Sequence, residues 1–305
     1  MADPTTVSLE IAGTEISFET GRMAKQASGA VVVRAADTMV LCTATAGNPR
    51  DVDFLPLTVD VEERMYAAGK IPGSFFKREG RSGEKATLTA RMIDRPIRPL
   101  FPKGWRHETQ LVAIPLSVDH VQPYDVLAMN GASAALMISE IPLPTPVGAV
   151  RIGKVEGNFV INPSEEDLAE GRSDLDLIVA GTDEAILMVE AGADEIPEAE
   201  ILDALDIAHG EIQRLCALQR ELAEKVGKPK LQVQVPEVDP ELLEQIRASH
   251  GTALEGATSI EDKLERQDAT KAVEEAVLAH YAGEPDSEGH ADRRAGVQLA
   301  FDKLE

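Results

Sequence analysis

The segment GSFFKREGR, residues 73–81, sets two adjacent phenylalanines between glycines and among cations. Aromatic rings stack on unpaired bases for about 1–3 kcal/mol each while neighbouring cations follow the phosphates. Phe75, Phe76, Lys77, Arg78 and Arg81 therefore have the make-up of a site for single-stranded nucleic acid without sequence preference. Two readings stand. The rings fold back onto the core, gaining about 1.5–3 kcal/mol each from burial, or they project from a loop hinged at Gly73 and Gly80. Adjacent residues of an extended segment point to opposite sides, so burying both rings requires an unusual loop. Downstream, Arg91 and Arg95 lie one helical turn apart on one face, and Arg98 follows at a bend shaped by proline. Three guanidiniums on one side suit bidentate contacts to phosphate. The competing reading pairs them with Asp94, or with Asp60, Glu62 and Glu63.

The charge around these residues is opposite to that of the rest of the chain. From Lys77 to Arg106 there are nine basic side chains and three acidic ones, a net +6, within a chain whose net charge is −23. Such a body repels polyanions everywhere except one place, which favours a localised site over a diffuse basic coat. The 305 residues, 43% hydrophobic and 27% charged, have the composition of folded globular domains and not of a disordered chain. Cys42 and Cys216 sit in apolar runs and read as buried thiols of a reducing compartment. There is no N-terminal apolar signal core and no run of about 18 apolar residues, so the expectation is a cytoplasmic protein that does not span a membrane.

The elements that position the basic stretch follow from periodicity. VSLEIAGTEISFETG alternates and turns at Ala12-Gly13-Thr14, a hairpin; GAVVVRAADTMVLCTATAG adds two β runs, and FLPLTVDV alternates again. The first 70 residues thus read as one antiparallel sheet. A helix is expected from Glu84 to about Asp94, with Pro96 and Pro99 preventing a regular continuation. QLVAIPLSVD reads as a strand, DVLAMNGASAALMIS as a buried helix of small residues, and VGAVRIGKVEGNFVIN and DLDLIVAGTDEAILMVEAG as hairpins. A long amphipathic helix opens at Pro197 with early carboxylates, as the helix dipole favours. KPKLQVQVPEVDP reads as a linker, and from residue 231 onward the chain is helical in pattern and carries 7 basic against 17 acidic residues. That acidic module is suited to packing against protein, not to binding phosphate. The last stretch, RRAGVQLAFDKLE, stops without a Gly or Asn cap, as expected of a helical region that continues.

The stretch LPLTVDVEERMYAAGKIPGSFFKREGRSGEKATLTARMIDRPIRPLFPKGW resembles the first half of the bacterial polynucleotide phosphorylases. YAAGKIPGSFFKREGR and RMIDRPIRPLFP carry the resemblance, which runs from about Val7 to the linker. It implies an α/β (α+β) ribonuclease PH-like fold, related to ribosomal protein S5 domain 2, followed by a small all-α domain. The corresponding boundaries are residues 1–228 for the core domain, 229–239 for the linker and 240–305 for a helical domain truncated at its C-terminal end. It further implies a homotrimeric ring around an RNA channel, with Phe75 and Phe76 gripping single-stranded RNA beside Lys77, Arg78 and Arg81. Arg91, Arg95 and Arg98 match arginines facing RNA and the cleft between core domains. Lys77 departs from the family's commoner arginine and lacks its planar fork.

The resemblance places phosphorolysis, with magnesium, inorganic phosphate and nucleoside diphosphates, in a second core domain outside these residues. The family's catalytic stretch is D-x-D-x-K followed by VAG, together with a serine-rich phosphate loop. Here DLDLIVAG keeps Asp174 and Asp176 but has Ile178 where the lysine belongs, and VQPYDVLAMNGAS lacks the serine pair. Neither phosphate nor the leaving RNA end then finds its electrostatic partner. The expectation is no catalytic residue and no bound metal in this chain, with Asp174 and Asp176 serving to cap strands or turns.

Two other function classes compete with an RNA-gripping half-enzyme. One is an assembly module whose basic stretch docks on acidic surfaces of neighbouring copies; the other is a stand-alone ribonuclease PH-type enzyme, which Ile178 opposes. The remaining constellations are weaker. His107, His120, His209, His250, His280 and His290 show no metal spacing. Asp60 and Glu62 share a strand face but read as a solvated edge. Trp105 is expected to anchor LFPKGW on the core.

Overall fold

A computed structural model describes residues 4–73, 79–80, 82–169, 171–233, 237–283 and 289–305. The opening alternation forms β1 (Thr5–Ile11) and β2 (Thr14–Thr20), paired antiparallel from Thr5 opposite Thr20 to Ile11 opposite Thr14. Ala12 (φ 49°) and Gly13 (φ 79°) both take the left-handed backbone of a two-residue type I′ turn. β3 (Gly29–Ala35) and β4 (Thr38–Pro49) continue the antiparallel order.

β5 (Leu57–Val61) then breaks the expected pattern. It does not pair with β4. β6 (His107–Ser117) lies between them, antiparallel to β4 and parallel to β5, giving the order β1-β2-β3-β4-β6-β5. Parallel neighbours need a long crossover, and here it carries α1 (Glu84–Ile97), the helix of the arginines. The expected stop before Pro96 is corrected too: α1 takes Pro96 into its last turn. Proline removes one N–H there, while buried Ile93, Pro96 and Ile97 hold the turn on the core and the Arg98 N–H still reaches the Asp94 carbonyl. Trp105 is buried, as its sequence context suggests, and donates from Nε1 to Thr109 Oγ1 at 2.9 Å.

Every residue of α2 (Tyr124–Ile138) except Met137 is buried. Its small residues let it lie close on the sheet: a Cβ added to Gly131 would stand 2.6 Å from both Cys42 Sγ and a Val33 methyl. Asn130 then stitches α2 to the second sheet, with Nδ2 donating to the Ala149 carbonyl (2.8 Å) and Oδ1 accepting from the Ala149 N–H (2.9 Å). That sheet comprises β7 (Gly148–Val155), β8 (Asn158–Ile161), β9 (Ser173–Gly181) and β10 (Ile186–Ala193), antiparallel in the order β10-β9-β7-β8. α3 (Glu198–Val226) packs on β1, β7 and β9 through residues such as Ala204, Ala208, Ile212 and Leu215. Cys42 and Cys216 are buried and free, and burial pushes both thiols up, Cys216 to about 11, so both are inert packing groups.

The chain separates into two compact units, residues 1–235 and 236–305. The start of the segment read as a linker is tied to the first unit. The Lys228 and Leu231 N–H groups donate to the carbonyls of Ile138 and Glu140, and Lys230 Nζ donates to those of Leu136, Met137 and Ser139 at 2.8–3.0 Å. The second unit consists, among its described residues, of α4 (Pro240–Thr258), α5 (Lys263–Tyr281) and α6 (His290–Leu304). Asp239 and Asp262 cap the first two helices, each accepting from two backbone N–H groups. Ile246, Leu254, Val277, Val297 and Phe301 make this unit's own core. No helix among the described residues is long and apolar enough to cross a membrane.

Candidate nucleic-acid interface

Of the eight residues expected to touch nucleic acid, Phe75, Phe76, Lys77, Arg78 and Arg81 lie outside the described residues. The other three belong to α1 and its end. Beside α1 opens a cavity of about 840 Å³. One wall is the helix itself, with Lys85, Leu88, Arg91 and Arg95; the facing wall is the second sheet, with Arg151, Ile178 and Glu190, flanked by Asp125 and Glu165.

The structure brings Arg91 and Arg95 together and turns Arg98 away. Arg91 is exposed and forms no ion pair among the described residues, whereas Arg95 pairs with Glu190 of β10. Arg98 grips Asp94 with a planar fork, Nε to Oδ2 at 2.8 Å and Nη2 to Oδ1 at 2.6 Å. It also donates to the carbonyls of Leu55 (3.3 Å) and Leu57 (3.0 Å). The expected set of three guanidiniums on one side is thus corrected to two, because a carboxylate at i−4 matches the fork geometry of Arg98. Arg106 is likewise spent on carbonyls, those of Trp105 and Asp53.

The facing wall is built from cross-strand neighbours. Arg151 stands opposite Ile178 in the β7–β9 pair and Glu190 opposite Ile178 in the β10–β9 pair, so the three side chains share one face. Arg151 is nearly buried and lies between two carboxylates. Its Nη2 donates to Asp125 Oδ2 at 3.1 Å, and its Nε is 3.0 Å from Asp176 Oδ1 but out of line for a hydrogen bond. Burial raises the Asp176 pKa; Arg151 opposes that shift and Asp125 adds to it. The expected strand- or turn-capping role of Asp176 is therefore replaced by an ionic one, and Asp174 contributes its carbonyl, which accepts from the Asp194 N–H at 2.9 Å. A guanidinium is a donor-only group seated between the two carboxylates, so these residues do not fit a divalent cation. Asp60 and Glu62 are also engaged, by Gln110 and Arg64.

Among the described residues, the lining cations Lys85, Arg91, Arg95 and Arg151 are matched by four carboxylates, Glu84, Asp125, Glu165 and Glu190. Lys85 lies 3.5 Å from Glu165 and 4.9 Å from the centre of the Tyr124 ring. The Tyr124 hydroxyl donates to Glu63 at 2.7 Å; burial first, then that carboxylate, pushes its pKa up. His107 stacks on Trp105 and hydrogen-bonds through Nδ1 to the Gly47 carbonyl at 2.9 Å, a structural position. Sequence reasoning missed Arg151, Glu165 and Glu190, which come from segments far from α1 and carry no local signal. Asp125 stands inside VQPYDVLAMNGAS and could have been found there.

Two family models match this chain: domain 1 of the 3′ exoribonuclease family over residues 13–142 and domain 2 over residues 145–211. The chain belongs to the 3′ exoribonuclease family. Its two sheets and packed helices are accordingly a ribonuclease PH-like α+β fold, with an all-helical unit after it. The chain is 49% identical to a polyribonucleotide nucleotidyltransferase of Halothermothrix orenii over 95% of its own length and 41% of that protein. It is 51% identical to the protein of the same name from a Roseiflexus species, over 98% of this chain and 40% of that protein. The Heliobacterium modesticaldum protein of that name gives 51% over 91% and 40%. The chain thus spans about two fifths of the length of the curated relatives it matches.

Proposed function

We propose that this chain is the RNA-gripping, non-catalytic part of a phosphorolytic 3′-to-5′ exoribonuclease. In the whole protein, inorganic phosphate attacks the terminal phosphodiester of single-stranded RNA and a nucleoside diphosphate leaves; the reverse reaction adds tails. The observation that carries the reading is the asymmetry of the cavity. Arg91 and Arg95 stand one turn apart on α1, while the facing wall has Ile178 at its centre, with Asp125 and Asp176 tied to Arg151 and Glu190 to Arg95. Cations on α1 can hold phosphates, but among the described residues the facing wall has no lysine or serine cradle to stabilise charge on a leaving group. Magnesium, the phosphate site and the chemistry then belong to a second core domain, in a cytoplasmic homotrimer acting in mRNA degradation and RNA processing. The Phe75–Phe76 loop with Lys77, Arg78 and Arg81, together with Arg91 and Arg95, forms the RNA contact set.

The purified chain should bind oligo(A) and release no ADP from poly(A) and phosphate. Replacing Phe75 and Phe76 together by alanine should weaken oligo(A) binding by about 2–6 kcal/mol, two stacked rings' worth. Unchanged binding in that double variant, or ADP release at ten or more times the uncatalysed rate (an order-of-magnitude threshold, about 1.4 kcal/mol of barrier), would overturn the reading. The four-against-four charge balance of the cavity favours one second reading, an assembly module that grips no RNA. A salt-labile oligomer indifferent to oligonucleotides would establish that alternative.

A further inference from the structure

Arg91 and Arg95 are equivalent by sequence, one turn apart on the same helix face, yet the fold treats them differently. Arg91 faces the cavity without an ionic partner among the described residues, whereas Arg95 is taken by Glu190. Glu190 reaches it for a reason visible in strand register. Its neighbour across β9 is Ile178, which offers no charge, and the next residue along that row, Arg151, is already held by Asp125 and Asp176. Of the other lining carboxylates, Asp125 is committed to Arg151 and Glu165 to Lys85, while Glu84 stands in the first turn of α1 itself. Glu190 is thus left to pair across the cavity with α1. Both members of that pair are about half exposed, so the contact adds little to folding and is easily exchanged.

We infer that Glu190 is an electrostatic gate on the RNA interface, a resident carboxylate that occupies Arg95 until a phosphate displaces it. This rests on the RNA-gripping reading of α1. A strand anchored first at Arg91 brings its next phosphate beside Arg95 at high local concentration and replaces the carboxylate, since Cβ atoms one turn apart are about 5–6 Å from each other. A lone phosphate ion has no such anchorage and meets a cavity whose charges, among the described residues, already balance. Glu190 therefore acts as a positioning residue that selects polymeric over small anions. When RNA displaces it, the freed carboxylate takes up counterions, which offsets part of the cation release that phosphate binding produces.

The test is oligo(A) and inorganic phosphate binding to the 305-residue chain as wild type, Glu190→Gln and Arg91→Ala, titrated across salt. Glu190→Gln should bind oligo(A) about two- to fivefold more tightly, the worth of an exposed ion pair. Its log–log salt slope should steepen by up to about 0.7, equivalent to one further phosphate bound. A merely structural role would move neither the slope nor the discrimination against inorganic phosphate. Arg91→Ala should weaken oligo(A) binding. If Arg91→Ala weakens binding while Glu190→Gln matches wild type in affinity and slope, the gate is refuted and the interface stands. If Arg91→Ala also binds as wild type, the interface reading falls and the gate with it.

Discussion

The two walls of the cavity hold arginines of opposite kinds. On the sheet wall, Arg151 is nearly buried and fixed between Asp125, itself 3% exposed, and Asp176. On the helix wall, Arg95 is half exposed with one exchangeable partner and Arg91 has none among the described residues. A cation buried among carboxylates belongs to the fold, because removing it strands a desolvated charge. A cation at a solvated wall costs little to re-pair and is available to a ligand. The same residue type, within one cavity, is thus assigned two functions by burial and by the number of its partners.

Denaturation should separate the two kinds most widely. Arg151→Ala should destabilise the chain by about 3–5 kcal/mol in urea, since Asp125 would remain buried without its counter-ion. Adding Asp125→Asn to Arg151→Met should recover a large part of that loss. Arg95→Ala should change stability by less than about 1 kcal/mol. Similar values for Arg151→Ala and Arg95→Ala would erase the distinction between the walls.

A smaller effect sharpens the comparison through a third cation, Lys230. Its amine is held by three backbone carbonyls, and burial lowers its pKa to about 8 against the opposing pull of Glu140. The unfolded chain therefore binds this proton more strongly than the folded one between about pH 8 and 10.5. Where the unfolded state binds more protons, stability rises with pH. The unfolding free energy of wild type minus that of Lys230→Met should accordingly increase across this window. A decrease would mean that the carbonyls outweigh burial and hold the amine charged.

Much of the fold was legible because it is written locally. The Ala12-Gly13 hairpin, the small-residue helix around Gly131 and the helical character of the second unit follow from period and turn chemistry alone. Strand order was not, since β5 is separated from β6 by the crossover that carries α1, and alternation in LTVDV is silent about its neighbour. The helix continued through Pro96 because buried Ile93 and Ile97 outweigh one missing N–H. For the site, the i, i+4 spacing of Arg91 and Arg95 was sufficient to bring them together. Their counter-charges were illegible, because Glu190 and Arg151 arrive by sheet register from strands far along the chain from α1. Local scarcity of carboxylates around the basic stretch says nothing about the acids that the fold brings to it.

The most direct test of the helix wall as an RNA grip is the salt dependence of oligo(A) affinity for wild type and the Arg91→Ala, Arg95→Ala double variant. Affinity should fall, and the log–log slope should shrink by about 0.7 for the phosphate lost at Arg91 and by a smaller amount for Arg95, whose contribution the freed Glu190 already offsets in part. Identical affinity and slope in the two proteins would contradict the account.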